Sequence, residues 1–223
     1  MGKTRQTPLI LAYIMEFPVG DLGRLEYTCV MKSICVYCGS ANQASRNYFL
    51  AAQRMGETLA QRGLTLVYGG GRTGLMGALA DSVLEAGGQV IGVIVESMNT
   101  PDLAHTGLTR LEVTATIHQR KARMYALADG YIALPGGYGT LDELFETLTW
   151  AQIGEHQKPV GLLNVDGYYD PLLEMLDRAV EEKFLFPEHR AALYCATDPQ
   201  SLLKAMAAHI YPHEAAERWM RQD

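Results

Sequence analysis

The stretch YIALPGGYGTLDELFE, residues 131–146, joins a short apolar run to a glycine-rich turn and then to an acidic helical segment. Pro135 ends the apolar run because proline has no N–H to donate to a strand ladder. The glycines that follow allow positive φ and a close approach of the backbone to a neighbour. Thr140 stands where a helix N-cap is expected, so the free N–H groups of the next helix point at the turn. This order of strand, turn and helix start predicts an anion site suited to a phosphate.

The same alternation of apolar runs and helical patterns extends over residues 32–210. Runs rich in Val, Ile and Leu that are separated by helices indicate a parallel sheet covered on both faces. The expected strands lie at residues 33–38, 64–68, 89–95, 111–115, 131–135, 158–165 and 193–196. This pattern predicts an α/β fold with a doubly wound, mostly parallel sheet (Rossmann-like) and helices on both faces. Ligands of such folds bind beyond the carboxyl ends of the strands.

The length of 223 residues suits one α/β domain with a substantial core. We expect a single Rossmann-like domain over residues 31–210 and a C-terminal tail over residues 211–223. Residues 1–30 lack the strand–helix pattern, and we expect them to form a poorly ordered N-terminal extension. Met31 is then a candidate natural start, because a clean strand pattern begins directly after it.

Charge and cysteine usage exclude several classes of function. The net charge of −6 argues against general nucleic-acid binding, which needs a basic face. The sequence has no apolar run long enough to cross a bilayer, so we expect no membrane partner. Cys35 and Cys38 have CxxC spacing, but they lie in a strand pattern that points them to opposite faces. No second Cys/His pair completes a metal site, and buried strand cysteines are typical of a reducing cytoplasm. We therefore expect a cytoplasmic protein with no bound metal.

A first glycine loop, YGGGRTG at residues 68–74, contains the G-x-G-x-x-G pattern between a strand and a helix. In a dinucleotide site its candidate contacts are Gly70, Gly71 and Gly74, and Glu96 is the candidate ribose-binding acid. Glycines also permit ordinary close packing of a helix on a strand. The pattern leaves phosphate binding and packing as equal alternatives.

Glu143 has two alternative roles in the acidic segment. Thr140 and Glu143 have the spacing of a capping box, in which the glutamate bonds back to the threonine N–H. Alternatively, Glu143 faces a pocket above the glycine turn. Helical periodicity places it opposite the apolar positions of its helix, which we expect to be buried. Those positions are Leu141, Leu144, Phe145 and Leu148.

Arg120 interrupts an apolar stripe on the helix predicted over residues 117–128. Ile117, Met124 and Leu127 share its face at three- and four-residue spacings, whereas Lys121 lies off it. A guanidinium among apolar side chains needs a carboxylate or a phosphate as its partner. The pattern therefore predicts either a structural ion pair or a contact with an anionic ligand.

At these residues the chain resembles the Lonely Guy (LOG) family of cytokinin riboside 5′-monophosphate phosphoribohydrolases. The family signature P-G-G-x-G-T-x-x-E matches residues 135–143, and its upstream Arg-Lys pair matches residues 120–121. Further similar blocks are CVYCGS (35–40), YGGGRTGLMG (68–77), HQRKARM (118–124), LTWAQIG (148–154) and KPVGLLNVDGYYD (158–170). The resemblance covers roughly residues 32–210.

The resemblance implies a homodimer that hydrolyses the N-glycosidic bond of purine nucleoside 5′-monophosphates of the AMP or N6-prenyl-AMP type. It implies free base and ribose 5-phosphate as products, no cofactor, and catalysis by Arg120 and Glu143. The implied substrate contacts are Asp102, Lys121, Gly136, Gly137, Tyr138, Gly139, Thr140, Leu141, Asp142 and Thr149. Family members usually carry a glutamate where Asp102 stands, so this position departs from the pattern.

Three other functions share part of these features. Molybdenum cofactor carriers resemble this pattern in fold and glycine loop, and they hold a phosphate-bearing pterin without turnover. The family has also been labelled lysine decarboxylase, although the chain is short for a pyridoxal enzyme of that kind. A NAD-dependent dehydrogenase is the third alternative, and only the first glycine loop supports it.

Overall fold

The computed structural model describes residues 31–221 of the chain. The N-terminal extension expected over residues 1–30 lies outside the described residues. Within the described part, seven strands form one sheet. They are β1 (Ser33–Tyr37), β2 (Thr65–Tyr68), β3 (Val90–Val95), β4 (Arg110–Thr114), β5 (Gly130–Ala133), β6 (Val160–Leu163) and β7 (Leu193–Ala196).

Helices connect these strands and cover both faces of the sheet. They are α1 (Arg46–Gln61), α2 (Gly74–Glu85), α3 (Ile117–Leu127), α4 (Tyr138–Gln152), α5 (Asp170–Glu181), α6 (Pro187–Ala191), α7 (Pro199–Ala207) and α8 (His213–Arg221). The short helices α6 and α8 were not predicted. Helix α8 lies in the segment expected as a tail, and its Ala215 and Ala216 are buried.

The sheet has the strand order β4-β3-β2-β1-β5-β6-β7, and every described pair is parallel. The chain builds outward from β1 to β4 and then returns to place β5 on the other side of β1. This doubly wound order confirms the predicted fold class. The strand order reverses between β1 and β5, which is where such sheets leave a crevice for a ligand.

Each face of the sheet carries its own apolar core. Strand β5 is buried along its whole length, which explains its continuous apolar run. Cys38 packs in the core under α1, α2 and α7, whereas Cys35 packs in the core under α3, α4 and α5. The prediction that the two cysteines point to opposite faces is confirmed. Burial raises the pKa of both thiols, so they stay protonated near neutral pH.

Across residues 31–221, no helix combines the length and the apolar character that crossing a bilayer requires. Those residues also hold no cluster of three or more His, Cys, Asp or Glu side chains arranged to bind a metal ion.

Candidate functional site

The candidate site lies where β1 and β5 end side by side. The two strands pair in register as far as Tyr37 and Ala133. Beyond them the chains stay together, because Leu134 N–H donates to the Tyr37 carbonyl at 2.9 Å and Gly39 N–H donates to the Pro135 carbonyl at 3.0 Å. The second glycine loop therefore leaves the sheet at the point where the strand order reverses.

Helix α4 starts directly from this loop with an uncapped N-terminus. Its first residue is Tyr138, its N-cap position is Gly137, and no side chain bonds to the free N–H groups there. Leu141 N–H is bonded to the Gly137 carbonyl at 3.1 Å. The N–H groups of the residues before it have no partner within the helix. Helix α3 differs, because the Thr116 side chain accepts a hydrogen bond at its N-terminus. The start of α4 thus keeps donors available for an anion.

The expected N-cap role of Thr140 is wrong, since the N-cap position of α4 is Gly137, three residues earlier. Thr140 lies inside the first turn, and its side chain is buried against Gly136. A Cβ atom added to Gly136 would overlap the Thr140 hydroxyl and approach Gly39 N to 2.8 Å. Gly136 is therefore required for packing of the loop.

Gly137 and Gly139, the other two glycines of the second loop, are less crowded than Gly136. A Cβ atom added to Gly137 or Gly139 would meet no atom within 4 Å. None of the three glycines has a positive φ, so the loop does not use the left-handed backbone that glycine allows. Open space in front of Gly137 and Gly139 leaves room for a group that approaches the helix N-terminus.

Two tyrosines that the sequence analysis did not single out support this loop from behind. The Tyr168 hydroxyl donates to the Gly136 carbonyl at 2.6 Å, and the buried Tyr169 hydroxyl donates to the Leu134 carbonyl at 2.7 Å. In a trans peptide the carbonyl and the next N–H point in opposite directions. Fixing the Gly136 carbonyl therefore directs the Gly137 N–H away from Tyr168. The only sequence signal was their position in the block at residues 158–170.

Arg120 and Glu143 form a largely buried ion pair beside the loop. Arg120 Nη1 lies 2.8 Å from Glu143 Oε1, and each side chain is 13% exposed. Arg120 Nε also donates to the carbonyl of Val93, in the second half of β3, at 2.9 Å, which fixes the guanidinium against this strand. Burial raises the pKa of Glu143, and the nearby Arg120 only partly opposes this shift. The result is a carboxylate with restricted access to water and one fixed cationic neighbour.

This geometry corrects two expectations about α4. The capping box is wrong, because Gly137 is the N-cap residue and the Glu143 carboxylate accepts from Arg120. The expected buried stripe is also wrong in part. Leu144 is buried, but Phe145 is 40% exposed, and the other buried α4 positions are Thr140 and Thr147. Glu143 therefore points toward α3 and away from bulk solvent.

Lys121, the neighbour of Arg120, joins α3 to α4 a second time. Its Nζ lies 3.1 Å from Asp142 Oδ2 and 3.0 Å from Glu146 Oε1, with 12% of the lysine side chain exposed. Burial acts to lower the pKa of Lys121, but its bonds to Glu146 and Asp142 outweigh burial and raise that pKa. Two consecutive basic residues of α3 thus pair with three acids of α4.

The remaining implied contacts lie around this centre. Tyr138 is 94% exposed and Leu141 is half-buried, both at the start of α4. Thr149 is exposed and donates its hydroxyl to the Phe145 carbonyl at 2.7 Å, so the structure does not bring it to the ion pair. Asp102 is exposed in the loop that follows β3. Its neighbour Leu103 accepts a hydrogen bond from Arg72 N–H at 2.8 Å, which places Asp102 at the rim of the first glycine loop.

N–H groups where the first glycine loop meets α2 are bonded within the chain. Gly74 N–H donates to Asn42 Oδ1 at 2.8 Å, and Leu75 N–H donates to the Gly39 carbonyl at 2.9 Å. Gly70 and Gly74 have φ values of 73° and 61°, and a Cβ on Gly74 would overlap the backbone of Ser40. A Cβ on Gly71 would approach Met76 Cε to 2.6 Å. These contacts support the packing alternative over a dinucleotide site.

Comparison with known proteins identifies sequence relatives. The family model described as "Possible lysine decarboxylase" matches residues 76–206. The cytokinin riboside 5′-monophosphate phosphoribohydrolase LOG of Oryza sativa subsp. japonica is 44% identical over 188 residues, covering 84% of this chain and 78% of the rice protein. The cytokinin riboside 5′-monophosphate phosphoribohydrolase LOG1 of Arabidopsis thaliana is 44% identical over 190 residues, covering 85% of this chain and 89% of that protein.

Solved structures with the same fold include molybdenum cofactor proteins. The molybdenum cofactor binding protein of Rippkaea orientalis has a TM-score of 0.59 and 26% identity, covering 78% of this chain and 93% of that chain. The molybdenum cofactor carrier protein of Chlamydomonas reinhardtii has a TM-score of 0.58 and 22% identity, covering 78% and 94% of the two chains. At 22% identity, the likeness to the Chlamydomonas reinhardtii protein shows a shared fold alone.

The two kinds of loop glycine predict different effects of an added methyl group. Gly139→Ala should weaken binding of AMP by about tenfold, or ~1.4 kcal/mol, because the methyl enters the open space before the helix N-terminus. Its melting temperature should stay unchanged. Gly136→Ala should instead destabilise the fold by about 1–3 kcal/mol through its overlap with Thr140. Calorimetric titration and thermal unfolding measure the two effects, and full affinity in Gly139→Ala would argue against an anion at this helix end.

Proposed function

Since the chain belongs to the Lonely Guy family of cytokinin riboside 5′-monophosphate phosphoribohydrolases, we propose that it hydrolyses purine nucleoside 5′-monophosphates. The substrate class is AMP and its N6-prenylated relatives. Water adds to C1′ of the ribose, the C1′–N bond breaks, and the base leaves with the bonding electron pair and a proton. The products are the free base and ribose 5-phosphate. The observation that carries the proposal is the buried Arg120–Glu143 pair beside the uncapped start of α4.

The phosphate arm of the substrate fits the second glycine loop. The N–H groups of Gly137, Tyr138, Gly139 and Thr140 would donate to the phosphate oxygens, and the positive end of the α4 dipole adds to this attraction. Open space in front of Gly137 and Gly139 supports such an approach. Binding the phosphate here would bring the ribose to Glu143, which lies on the same helix.

The reacting centre fits the carboxylate of Glu143. Cleavage of a ribosyl C–N bond develops positive charge on the sugar in an oxocarbenium-like transition state. An ionised Glu143 would stabilise that charge or activate the attacking water. Energy from phosphate binding then aids the reaction by holding C1′ over the carboxylate.

Arg120 would act through its charge and its hydrogen bonds. An arginine stays protonated at ordinary pH and cannot serve as a general base. Its bond to Glu143 at 2.8 Å orients the carboxylate and favours the ionised form against burial. Lys121 would support the same arrangement, because its bonds to Asp142 and Glu146 hold α3 against α4. We also propose Asp102, at the rim of the first glycine loop, and Thr149 as peripheral substrate contacts.

The lysines near the site do not support the decarboxylase activity that the description of the matching family suggests. Lys121 is engaged by two carboxylates, as described above. Lys158 donates to the Tyr125 carbonyl at 3.0 Å and to the Tyr131 hydroxyl at 3.2 Å. Both ammonium groups are thus engaged by partners within the chain.

We further propose that the chain forms a homodimer through α4 and α5. Helix α5 has a pronounced apolar side but no fully buried residue. Leu172 and Leu176 are only partly buried against the core, while Met175 is 65% exposed. Phe145 of α4 adds a further exposed aromatic ring on this side of the sheet. Apolar surface of this kind commonly marks a protein–protein interface.

Removal of the proposed carboxylate tests the reaction. Glu143→Gln keeps the shape and an acceptor for Arg120 but removes the charge, so kcat with AMP should fall about 10³-fold. Adenine release followed by chromatography measures the effect, and Glu57→Gln on the exposed side of α1 serves as the control. Wild-type turnover in Glu143→Gln would show that this carboxylate is not used. A cofactor carrier would release no adenine from AMP even in its native form.

The raised pKa of Glu143 predicts an acid limit to activity. Because the ionised form is required, kcat should fall as pH drops through a value above the ordinary 4.5 of a glutamate. The substrate phosphate also titrates near pH 6, but at saturating AMP its effect belongs to KM rather than to kcat. A kcat profile that stays flat down to pH 4.5 would contradict an essential, largely buried Glu143.

A charge on the exposed face of α4 tests the homodimer. Phe145→Lys should shift the sedimentation coefficient from dimer to monomer, because a lysine replaces an apolar contact at the proposed interface. Val113→Lys is the matched control, since Val113 is 48% exposed on β4 at the opposite edge of the sheet. A monomer in the unmodified protein, or a dimer unaffected by Phe145→Lys, would rule out this interface.

A further inference from the structure

We propose that Gly69 is a positioning residue for Arg120: the missing side chain at this position leaves the space through which the guanidinium reaches Glu143. The inference rests on the proposed function, in which Arg120 orients the catalytic carboxylate. It assigns a role to the first glycine loop that is separate from binding a phosphate.

The path of the Arg120 side chain carries the inference. Arg120 reaches from α3 across the carboxyl ends of the central strands. Its Nε is fixed at 2.9 Å from the Val93 carbonyl of β3, and its Nη1 ends 2.8 Å from Glu143 on α4. Gly69 is the first residue after β2, the strand next to β3. A Cβ atom on Gly69 would overlap Arg120 Nη2 and lie 3.4 Å from Arg120 Cζ.

Backbone conformation does not explain a glycine at this position. Gly70 and Gly74 of the same loop have positive φ, which disfavours other residues, but Gly69 does not. The other close neighbour of an added Cβ is Met76 Sδ at 3.3 Å, an atom of a flexible side chain. Of the contacts at Gly69, the one with Arg120 is therefore the closest and the hardest to relieve.

Displacement of the guanidinium would affect Glu143 directly. Moving Nη2 aside turns the planar group, so the bonds from Nε to Val93 and from Nη1 to Glu143 cannot both keep their geometry. Glu143 would lose the neighbour that favours its ionised form. The Arg120 side chain thus connects the first glycine loop to Glu143 on the helix that follows the second loop.

Gly69→Ala tests this role with AMP as the substrate. We expect kcat to fall about 100-fold, as for a misplacement of about 1 Å, with KM changed less than about threefold. The acid limb of the kcat profile should move to higher pH, which a general loss of packing would not produce. Gly161→Ala in β6 is the matched control, because its Cβ would meet Leu202 Cδ1 and Met206 Sδ at 2.9 Å, away from Arg120. This control should keep wild-type kcat even if its melting temperature falls.

A thermal double-mutant cycle isolates the contact itself. Gly69→Ala should lower the melting temperature when Arg120 is present but cause no further loss in the Arg120→Ala background, because the overlapping atoms are then gone. If Gly69→Ala alone fails to fold, folding of the double variant supports the same conclusion. Additive losses, a double variant that unfolds although Arg120→Ala alone folds, or wild-type kcat with an unmoved acid limb in Gly69→Ala would overturn the proposal.

The two readouts separate this proposal from the proposed function. If the unmodified protein releases no adenine from AMP, the proposed function fails. The thermal cycle still decides whether Gly69 holds Arg120 in place, since it needs no turnover.

Discussion

The ion pair between Arg120 and Glu143 is the interaction on which the arrangement of the site depends. It joins α3 to α4 across the line where the sheet reverses its strand order, with 2.8 Å between Nη1 and Oε1. Removing one partner from a pair this well buried leaves an uncompensated charge, which typically costs about 3–5 kcal/mol. The pair therefore holds the two helices together. It also favours the ionised form of a carboxylate whose pKa burial raises.

This arrangement explains why an acidic segment directly follows the second glycine loop. A nucleoside 5′-monophosphate presents an anion and a developing cation a short distance apart on one sugar. A helix whose free N–H groups receive the phosphate can carry, on its second turn, the carboxylate that faces the sugar. Lys121 pairs with Asp142 and Glu146, so its positive charge offsets part of the repulsion between these acids and the phosphate. The same helix can thus serve both ends of the substrate.

The sheet could be predicted from sequence because buried parallel strands read as continuous apolar runs between helical patterns. The need of Arg120 for an anionic partner was also predictable, since the residue interrupts an apolar stripe. Its partner was not, because the contact with Glu143 depends on how two helices pack across the sheet. Local rules failed at Thr140, where packing against Gly136 replaced the expected cap.

Other features of the site had no local signal. Tyr168 supports the glycine loop over a separation of 32 residues. Gly69 and Arg120 meet only because the carboxyl ends of β2 and β3 lie side by side. Helical periodicity also suggested burial for Phe145, which the single chain leaves 40% exposed. Periodicity reports the apolar side of a helix but does not say whether that side is covered by the same chain.

A crystal structure of the Glu143→Gln protein with intact AMP tests the central claim most directly. The account predicts phosphate oxygens within hydrogen-bond distance of the N–H groups at residues 137–140, with C1′ of the ribose facing the side chain at position 143. A phosphate bound instead at the first glycine loop, with the ribose remote from position 143, would contradict it.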